Sequence, residues 1–327
     1  MEWLRGGNVA ARTRAAELLR RGKLVAVPTE TVYGLAALAE DESAVRKIFS
    51  VKGRPLLDPL IVHLGSFEQV EGFCEVNPVA RALAERFWPG PLTLVLPRRA
   101  DCPIPDLVSA GKPTLGIRIP AHPLLRKLLC ESQIPLAAPS ANPFGYVSPT
   151  RPEHVATSLT NGVDAILDGG PCEHGLESTI LNVSAEGEVR LLRPGPLSSE
   201  EILRVPDVRS VDSRRSDSSR PDAPGMLKSH YRPRKPVHLF PKGEFSGDSL
   251  ESEAVVFLKR PTHPRENDFW FSESGQAEEI GRNLFDLLRQ LDAHPTFASL
   301  RIETPISDTG IWRAIRDRLQ RAATPPD

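Results

Sequence analysis

The sequence predicts an α/β protein: a twisted mixed sheet covered by helices, followed by a second, smaller Rossmann-like α/β domain. Apolar residues at helical spacing alternate with short apolar runs along most of the chain, the pattern of helices laid on a sheet. Proline reaches 32 of 327 residues, which disfavours a helix bundle and suits short elements joined by rigid turns. A polar, Ser-rich stretch from Arg209 to Pro224, RSVDSRRSDSSRPDAP, interrupts the alternation before it resumes. These features predict a first domain over 1–208, a linker over 209–235 and a small domain of about 90 residues over 236–327.

The elements follow in order. Ala15, Ala16, Leu18 and Leu19 place a helix from Thr13 to Arg21, with Gly22 as its stop and a buried strand from Lys23 to Pro28. Asp41 precedes a helix carrying Ala44, Val45, Ile48 and Phe49 on one face, and Leu60 to Leu64 is the next strand. A helix from Pro78 to Phe87 leads to the strand Leu92 to Leu96. A strand from Thr114 to Ile119, a helix around Leu124 to Leu129 and a strand from Ile134 to Ala138 follow. Strands at Ala165 to Leu167, Ser178 to Val183 and Val189 to Leu192 succeed one another closely, which calls for some antiparallel pairing. Ser198-Ser-Glu-Glu201 has capping-box spacing and opens a short helix. Past the linker the reading is strand (Val237 to Phe240), strand (Ala254 to Leu258), helix (Ala277 to Leu291), strand (Phe297 to Ile302) and helix (Ile311 to Leu319).

Composition removes several function classes. With a formal net charge of -1, 40% hydrophobic and 25% charged residues, the chain has no overall pull toward nucleic acid or a membrane. Its start lacks an apolar h-region and a small-residue cleavage site, and no run of about 18 apolar residues occurs, so a cytoplasmic protein is expected. Cys74, Cys102, Cys130 and Cys172 are too scattered for a metal site and read as inert thiols in a reducing compartment; no protein-held metal is expected.

Walker-type and dinucleotide-binding glycine loops are missing, as are H-E-x-x-H and G-x-S-x-G. The chemistry lies instead in polar segments at the ends of apolar strands, where α/β proteins place ligands. Pro28-Thr-Glu-Thr-Val-Tyr-Gly34 offers the hydroxyls of Thr29, Thr31 and Tyr33, or reads as an ordinary helix N-terminus. Lys52-Gly-Arg-Pro55 puts two cations after a helix, suited to phosphate oxygens or to a solvated helix end. Ala138-Pro-Ser-Ala-Asn-Pro143 breaks a buried strand into a Ser/Asn loop. Arg118, inside the apolar strand TLGIRIP, needs an anionic partner, either an internal carboxylate or a ligand's. Gly175-Leu-Glu-Ser-Thr-Ile180 and Leu192-Arg-Pro-Gly195 add Ser178 and Arg193.

In this order PTETVYGLA, KGRPLLDPLIVHL, FWPGPLTLVL, TLGIRIPAHP, LAAPSAN, GLESTI and LLRPGPL resemble the YrdC-like family of L-threonylcarbamoyl-AMP synthases. APGMLKSHYRP resembles the segment that joins that domain to the C-terminal domain of the family's long form. The resemblance implies a nucleotidyltransferase that turns L-threonine, bicarbonate or CO2 and ATP, with Mg2+, into threonylcarbamoyl-AMP and pyrophosphate. A tRNA-modifying threonylcarbamoyl transferase complex would consume the product, and direct tRNA binding is expected to be weak or absent. It further implies Lys52 and Arg54 as the catalytic cations, and Arg54, Asp58, Thr114, Ser140, Asn142, Ser148, Arg193 and Tyr231 as ATP contacts. The threonine pocket would comprise Thr31, His63, Ala138, Ser178 and Arg118, with Arg118 pairing bidentately with the carboxylate. Two residues depart from the pattern: Asp58 replaces the usual Asn, and Phe144 follows the PSAN loop in place of Ser. The segment from Gly225 to Pro233, with His230 and Tyr231, is expected to close over the site. The rival reading is an RNA-binding module of the same fold without adenylylation activity, against which 3 Tyr and 4 Trp count, because single-strand binders use aromatic platforms.

Overall fold

The computed structural model describes residues 1–5, 8–212, 222–226, 230–245 and 251–325. The first part of the chain runs β1 (Glu2–Arg5), α1 (Val9–Arg20), β2 (Val25–Val27), β3 (Gly34–Leu38), α2 (Glu42–Lys52), β4 (Ile61–His63), α3 (Phe67–Phe73), α4 (Pro78–Phe87) and β5 (Leu92–Pro97). It continues through α5 (Asp106–Ser109), β6 (Thr114–Arg118), α6 (Pro123–Ser132), β7 (Leu136–Ala137), α7 (Pro152–Ser158), β8 (Ala165–Asp168), β9 (Thr179–Val183), β10 (Val189–Arg193), α8 (Ser199–Ile202) and β11 (Val211–Asp212). These strands form one sheet in the order β1-β8-β2-β3-β7-β4-β6-β5-β9-β10-β11. Its pairing is mixed: β2 and β8 run parallel, for example, and β2 and β3 antiparallel.

Alternation along the strands explains how both faces are covered. Val25 and Val27 point to the side where Leu18, Leu19, Leu125 and Leu128 of α1 and α6 pack. Leu24 and Ala26 point to the other, against Val45 and Ile48 of α2 and Leu83 of α4. Asn8 caps α1 by accepting from Ala11 N, which starts that helix before the residues the apolar period marks. Asp41 caps α2 through Ser43 and Ala44, and Gly53 ends it in the left-handed region at φ 63°, a conformation glycine adopts without a Cβ penalty.

The C-terminal domain has its own parallel sheet, ordered β12 (Val237–Pro241), β15 (Ser299–Thr304), β13 (Glu253–Lys259) and β14 (Asp268–Ser272), with α9 (Ala277–Ala293) and α10 (Ile311–Ala323). The core of this domain does not stop at its own elements. Ile280, Leu284, Phe285, Leu288, Ile315 and Leu319 share one apolar cluster with Val32, Val147, Leu176 and Tyr231. Polar contacts seal the same junction: Tyr146 donates to Asp292 at 2.7 Å, and the Arg289 guanidinium donates to the carbonyls of Ser148 and Val147.

The structure departs from the sequence reading at three places. The segment from Pro28 to Gly34 does not open a helix; it turns into β3, because Leu35 N and Ala141 N bond back between this segment and the PSAN loop. Strands β1, β3 and β14 and helices α3, α5 and α7 are too short or weakly periodic to have been expected. Part of the polar stretch, Val211–Asp212, adds a strand beside β10, whereas residues 213–221 and 227–229 of the expected linker lie outside the described residues. Among the described residues no helix is long and apolar enough to cross a membrane.

Gly175 is where the two parts approach most tightly along the backbone. Its φ is +68°, and a Cβ there would lie 2.5 Å from the carbonyl oxygen of Arg282 on α9. Gly175→Ala should therefore cost about 1–3 kcal/mol, read as a lower urea midpoint. An unchanged midpoint would mean that α9 can retreat freely.

Candidate active site

The cavity forms where β3, β4, β6, β9 and β10 end and the chain must turn. It is lined by Thr29, Thr31, Gly34, Arg54, His63, Arg118, Ala138, Ser140, Glu177, Ser178, Arg193, Gly225, His230 and Tyr231, among others. Gly34 allows this closeness: its backbone bridges to Ser140, and an added Cβ would sit 3.2 Å from that of Ala138.

One end is strongly cationic. Gly53 folds the chain back over the end of α2, so Lys52 and Arg54 turn inward and are buried at 4% and 7% exposure; neither is a solvated helix end. The Lys52 ammonium donates to the carbonyls of Ser140 and Asn142, both at 2.5 Å, and burial together with nearby Arg54 pulls its pKa well below the usual lysine range. Arg54 donates to the carbonyls of Asp58 and Pro59 and pairs with the Asp58 carboxylate at 2.9 Å. Burial pushes the Asp58 carboxyl up even though Arg54 and Lys52 oppose the shift. Asp58 thus lies behind Arg54 as its counter-ion. Arg193 donates to the carbonyls of Ser178 and Pro224 and to the Ser178 hydroxyl. Among the described residues no carboxylate forms an ion pair with Lys52 or Arg193, so the buried Arg193 guanidinium is left with its charge uncancelled and Lys52 stands without a counter-ion.

At the other end, Arg118 donates to Glu30 at 2.6 Å and to the Thr31 hydroxyl at 2.8 Å, with all three side chains buried. The partner that a guanidinium on this strand demands is therefore an internal carboxylate, Glu30, and a ligand would meet an arginine already held in place. Burial works against Glu30 ionising, but Arg118 overrides it and keeps the carboxyl below its ordinary value. His63 is buried beside this pair; desolvation first, then the charge of Arg118, lowers its pKa to about 3, so it is neutral. Ser178 shares a 2.8 Å hydroxyl contact with Thr93.

The structure thus brings Thr31, Arg54, His63, Arg118, Ala138, Ser140, Ser178, Arg193 and Tyr231 onto one cavity. Lys52, Asp58 and Asn142 lie directly behind it, and Ser148 donates to the lining residue Glu177 at 2.5 Å. Thr114 lies in a neighbouring cavity with Lys112, Asp222 and Pro224, which meets the first at Ile61 and Pro224. Of the linker, Pro224, Gly225, His230 and Tyr231 form one wall; Tyr231 stacks on Phe285, and Phe144 meets His230 edge-on. Glu30 and Glu177 stand inside two of the quoted motifs but are not legible there as site residues, because the arginines that pair with them lie far away in sequence. Arg318, also absent from the sequence reading, does carry a signal: a charge on the apolar face of α10 among Ala314, Ile315 and Leu319.

Comparison with known proteins agrees with this geometry. Residues 17–195 match the Sua5/YciO/YrdC family model, described as telomere recombination, and residues 197–324 match the model described as threonylcarbamoyl-AMP synthase, C-terminal domain. A threonylcarbamoyl-AMP synthase of Pyrococcus abyssi is 39% identical over 324 residues, covering 94% of this chain and 93% of its own. One from Bacillus subtilis is 40% identical, with 95% and 92% covered. The crystal structure of P. abyssi Sua5 complexed with L-threonine superposes at a TM-score of 0.85 with 36% identity, covering 98% of this chain and 96% of that one. The mixed sheet and its cationic cavity therefore define an α/β protein of the Sua5/YciO/YrdC class. Since it carries the C-terminal domain as well, the chain belongs to the threonylcarbamoyl-AMP synthase family.

The neutral, buried His63 has a pH consequence. Its folded pKa lies below the unfolded value of about 6.5, so its contribution to stability is complete above that pH and is lost as pH falls toward 3. His63→Gln should remove up to about 1.4 kcal/mol per pH unit from the slope of unfolding free energy between pH 6 and 4. Chemical denaturation across that window measures it, and a parallel slope in the variant would refute the assignment.

Proposed function

We propose that the chain is an adenylyl-transferring L-threonylcarbamoyladenylate synthase, taking L-threonine, bicarbonate or CO2, and ATP to threonylcarbamoyl-AMP and pyrophosphate. The observation that carries this reading is that, among the described residues, Lys52 and Arg193 have no carboxylate partner at one end of a cavity whose other end holds the pre-set Arg118–Glu30 pair. A triphosphate supplies the missing negative charge at the first end. An α-carboxylate suits the second, where Arg118, Thr31 and His63 line the cavity.

In this reading Lys52 and Arg54 are the catalytic cations, and Arg54, Asp58, Thr114, Ser140, Asn142, Ser148, Arg193 and Tyr231 hold the nucleotide, Asp58 through Arg54. Thr31, His63, Arg118, Ala138 and Ser178 hold threonine. The amine nitrogen adds to the carbon of CO2 and loses a proton, giving a carbamate. A carbamate oxygen then bonds to the α-phosphorus as the bond to the bridging oxygen breaks and pyrophosphate leaves. No covalent nucleophile of the protein is required. Catalysis comes from holding two anions in line and neutralising the charge that develops on the leaving group.

Among the described residues no group of three or more His, Cys, Asp or Glu is arranged to hold a metal ion, and Glu30, Asp58 and Glu177 are each paired with an arginine. Mg2+ accordingly enters this proposal only as an ion carried on the triphosphate oxygens, and no step runs through it. In this reading the catalytic domain spans 1–208 and the small domain 236–327, and the linker over 209–235 is a lid that shields the carbamate from water. A cytoplasmic setting is supported by four cysteines, all free thiols. The product's mixed anhydride is suited to a downstream transferase that modifies tRNA, and the RNA-binding alternative is not favoured.

The test is pyrophosphate release on mixing the protein with ATP, Mg2+, bicarbonate and L-threonine; release independent of threonine would refute the synthase. Arg118→Lys keeps a cation beside Glu30 but loses the planar fork, and should raise the KM for threonine at least about tenfold while moving that for ATP less than about twofold. Equal changes in both would mean that Arg118 is structural. Lys52→Ala should have the opposite bias or abolish turnover, and an unaltered rate with unaltered ATP affinity would remove Lys52 from the phosphate site.

A further inference from the structure

Arg318 belongs to α10, in the last turns of the C-terminal domain, yet its side chain is completely buried against the cavity's outer wall. Its Nε donates to Glu177 Oε2 at 2.9 Å, and the other oxygen of Glu177 accepts from the Ser148 hydroxyl at 2.5 Å. One terminal nitrogen donates to the Pro194 carbonyl at 3.0 Å, the residue after Arg193, and the other to its neighbour Asp317 at 2.7 Å. The guanidinium carbon stands 4.9 Å from the centre of the Tyr231 ring, in cation–π range. A single side chain therefore touches three separate segments of the wall: the loop before β9, the turn after β10 and the linker.

Stability alone gives no reason for a charge in this position. Burying an ion pair costs about as much desolvation as the pairing returns, and an apolar side chain at the same place commonly serves as well. Docking of the C-terminal domain is already provided by the shared apolar cluster and by Arg289 and Tyr146. What an apolar residue could not do is orient Glu177, and through it the Ser148 hydroxyl, while fixing the plane of the Tyr231 ring.

We infer that the C-terminal domain is a working part of the nucleotide site and that Arg318 is its positioning residue, aligning Ser148, Arg193 and Tyr231 for ATP through Glu177, Pro194 and the tyrosine ring. The inference rests on the nucleotide reading given above for those three residues. It gives the domain a task in the reaction itself, with no ligand of its own required.

The experiment uses the full chain and measures the KM for ATP and for L-threonine by pyrophosphate release, with ATP binding followed separately by titration calorimetry. Arg318→Gln should raise the ATP KM and weaken ATP binding about tenfold while the threonine KM moves less than about twofold, and Arg318→Lys should recover part of the loss. Because Arg318→Gln strands a buried carboxylate, Glu177→Gln with Arg318→Gln provides a neutral pair in which the same ATP-selective loss is expected. Tyr146→Phe, which breaks a docking contact at the same junction, should leave ATP binding unchanged. Unaltered ATP binding in the folded Arg318 variants, an equal loss for both substrates, or the same loss in Tyr146→Phe would each overturn the positioning role. Those results are separable from failure of the synthase reading, which would show as wild-type protein that releases no threonine-dependent pyrophosphate.

Discussion

An arginine keeps its charge inside a protein, so every buried guanidinium has to be surrounded by acceptors before the chain can close around it. Arg54, Arg118, Arg193 and Arg318 are all buried around one cavity, and much of the local architecture answers to that requirement. Three of them have a carboxylate, from Asp58, Glu30 and Glu177. Among the described residues Arg193 is held by carbonyl and hydroxyl oxygens, which satisfy hydrogen bonds without cancelling its charge. The difference separates three guanidinium groups that each sit against a carboxylate from one that, among the described residues, does not.

The fold meets this demand through strand ends. A mixed sheet brings the last residues of some strands beside the first residues of others, so carbonyls freed where the ladders stop become the acceptors that buried cations need. Arg54 uses the carbonyls of Asp58 and Pro59 in this way, and Lys52 those of Ser140 and Asn142. The glycines at 34 and 53 let the chain turn tightly enough to present those groups, one by close packing against Ala138 and the other by a left-handed helix cap.

Much of this was legible in the sequence, for identifiable reasons. The helix from Pro78 to Phe87 follows from Pro at its first position and a four-residue apolar repeat, and it forms over those residues. Asp41 was readable as a cap because a short acceptor precedes an amphipathic run. Strand β3 was not readable, since GLAAL carries no alternation and its pairing with β2 and β7 is decided by residues far away in sequence. The site shows the same divide. A charge on an apolar strand announced that Arg118 needed an anion, but only the fold could choose Glu30 as that anion. Thr114, grouped with the nucleotide contacts by its motif, opens onto the adjoining cavity beyond Pro224, a separation that spacing along the chain could not express.

The apolar cluster that joins Val32, Val147, Leu176 and Tyr231 to α9 and α10 bears on how this protein could change over generations. Two domains joined only by a tether can be exchanged or lost as modules. Here the junction is interior, and a chain trimmed of its C-terminal domain would turn a patch of interior beside its own cavity into surface, inviting aggregation. In this chain, drift in either half is constrained by the packing of the other.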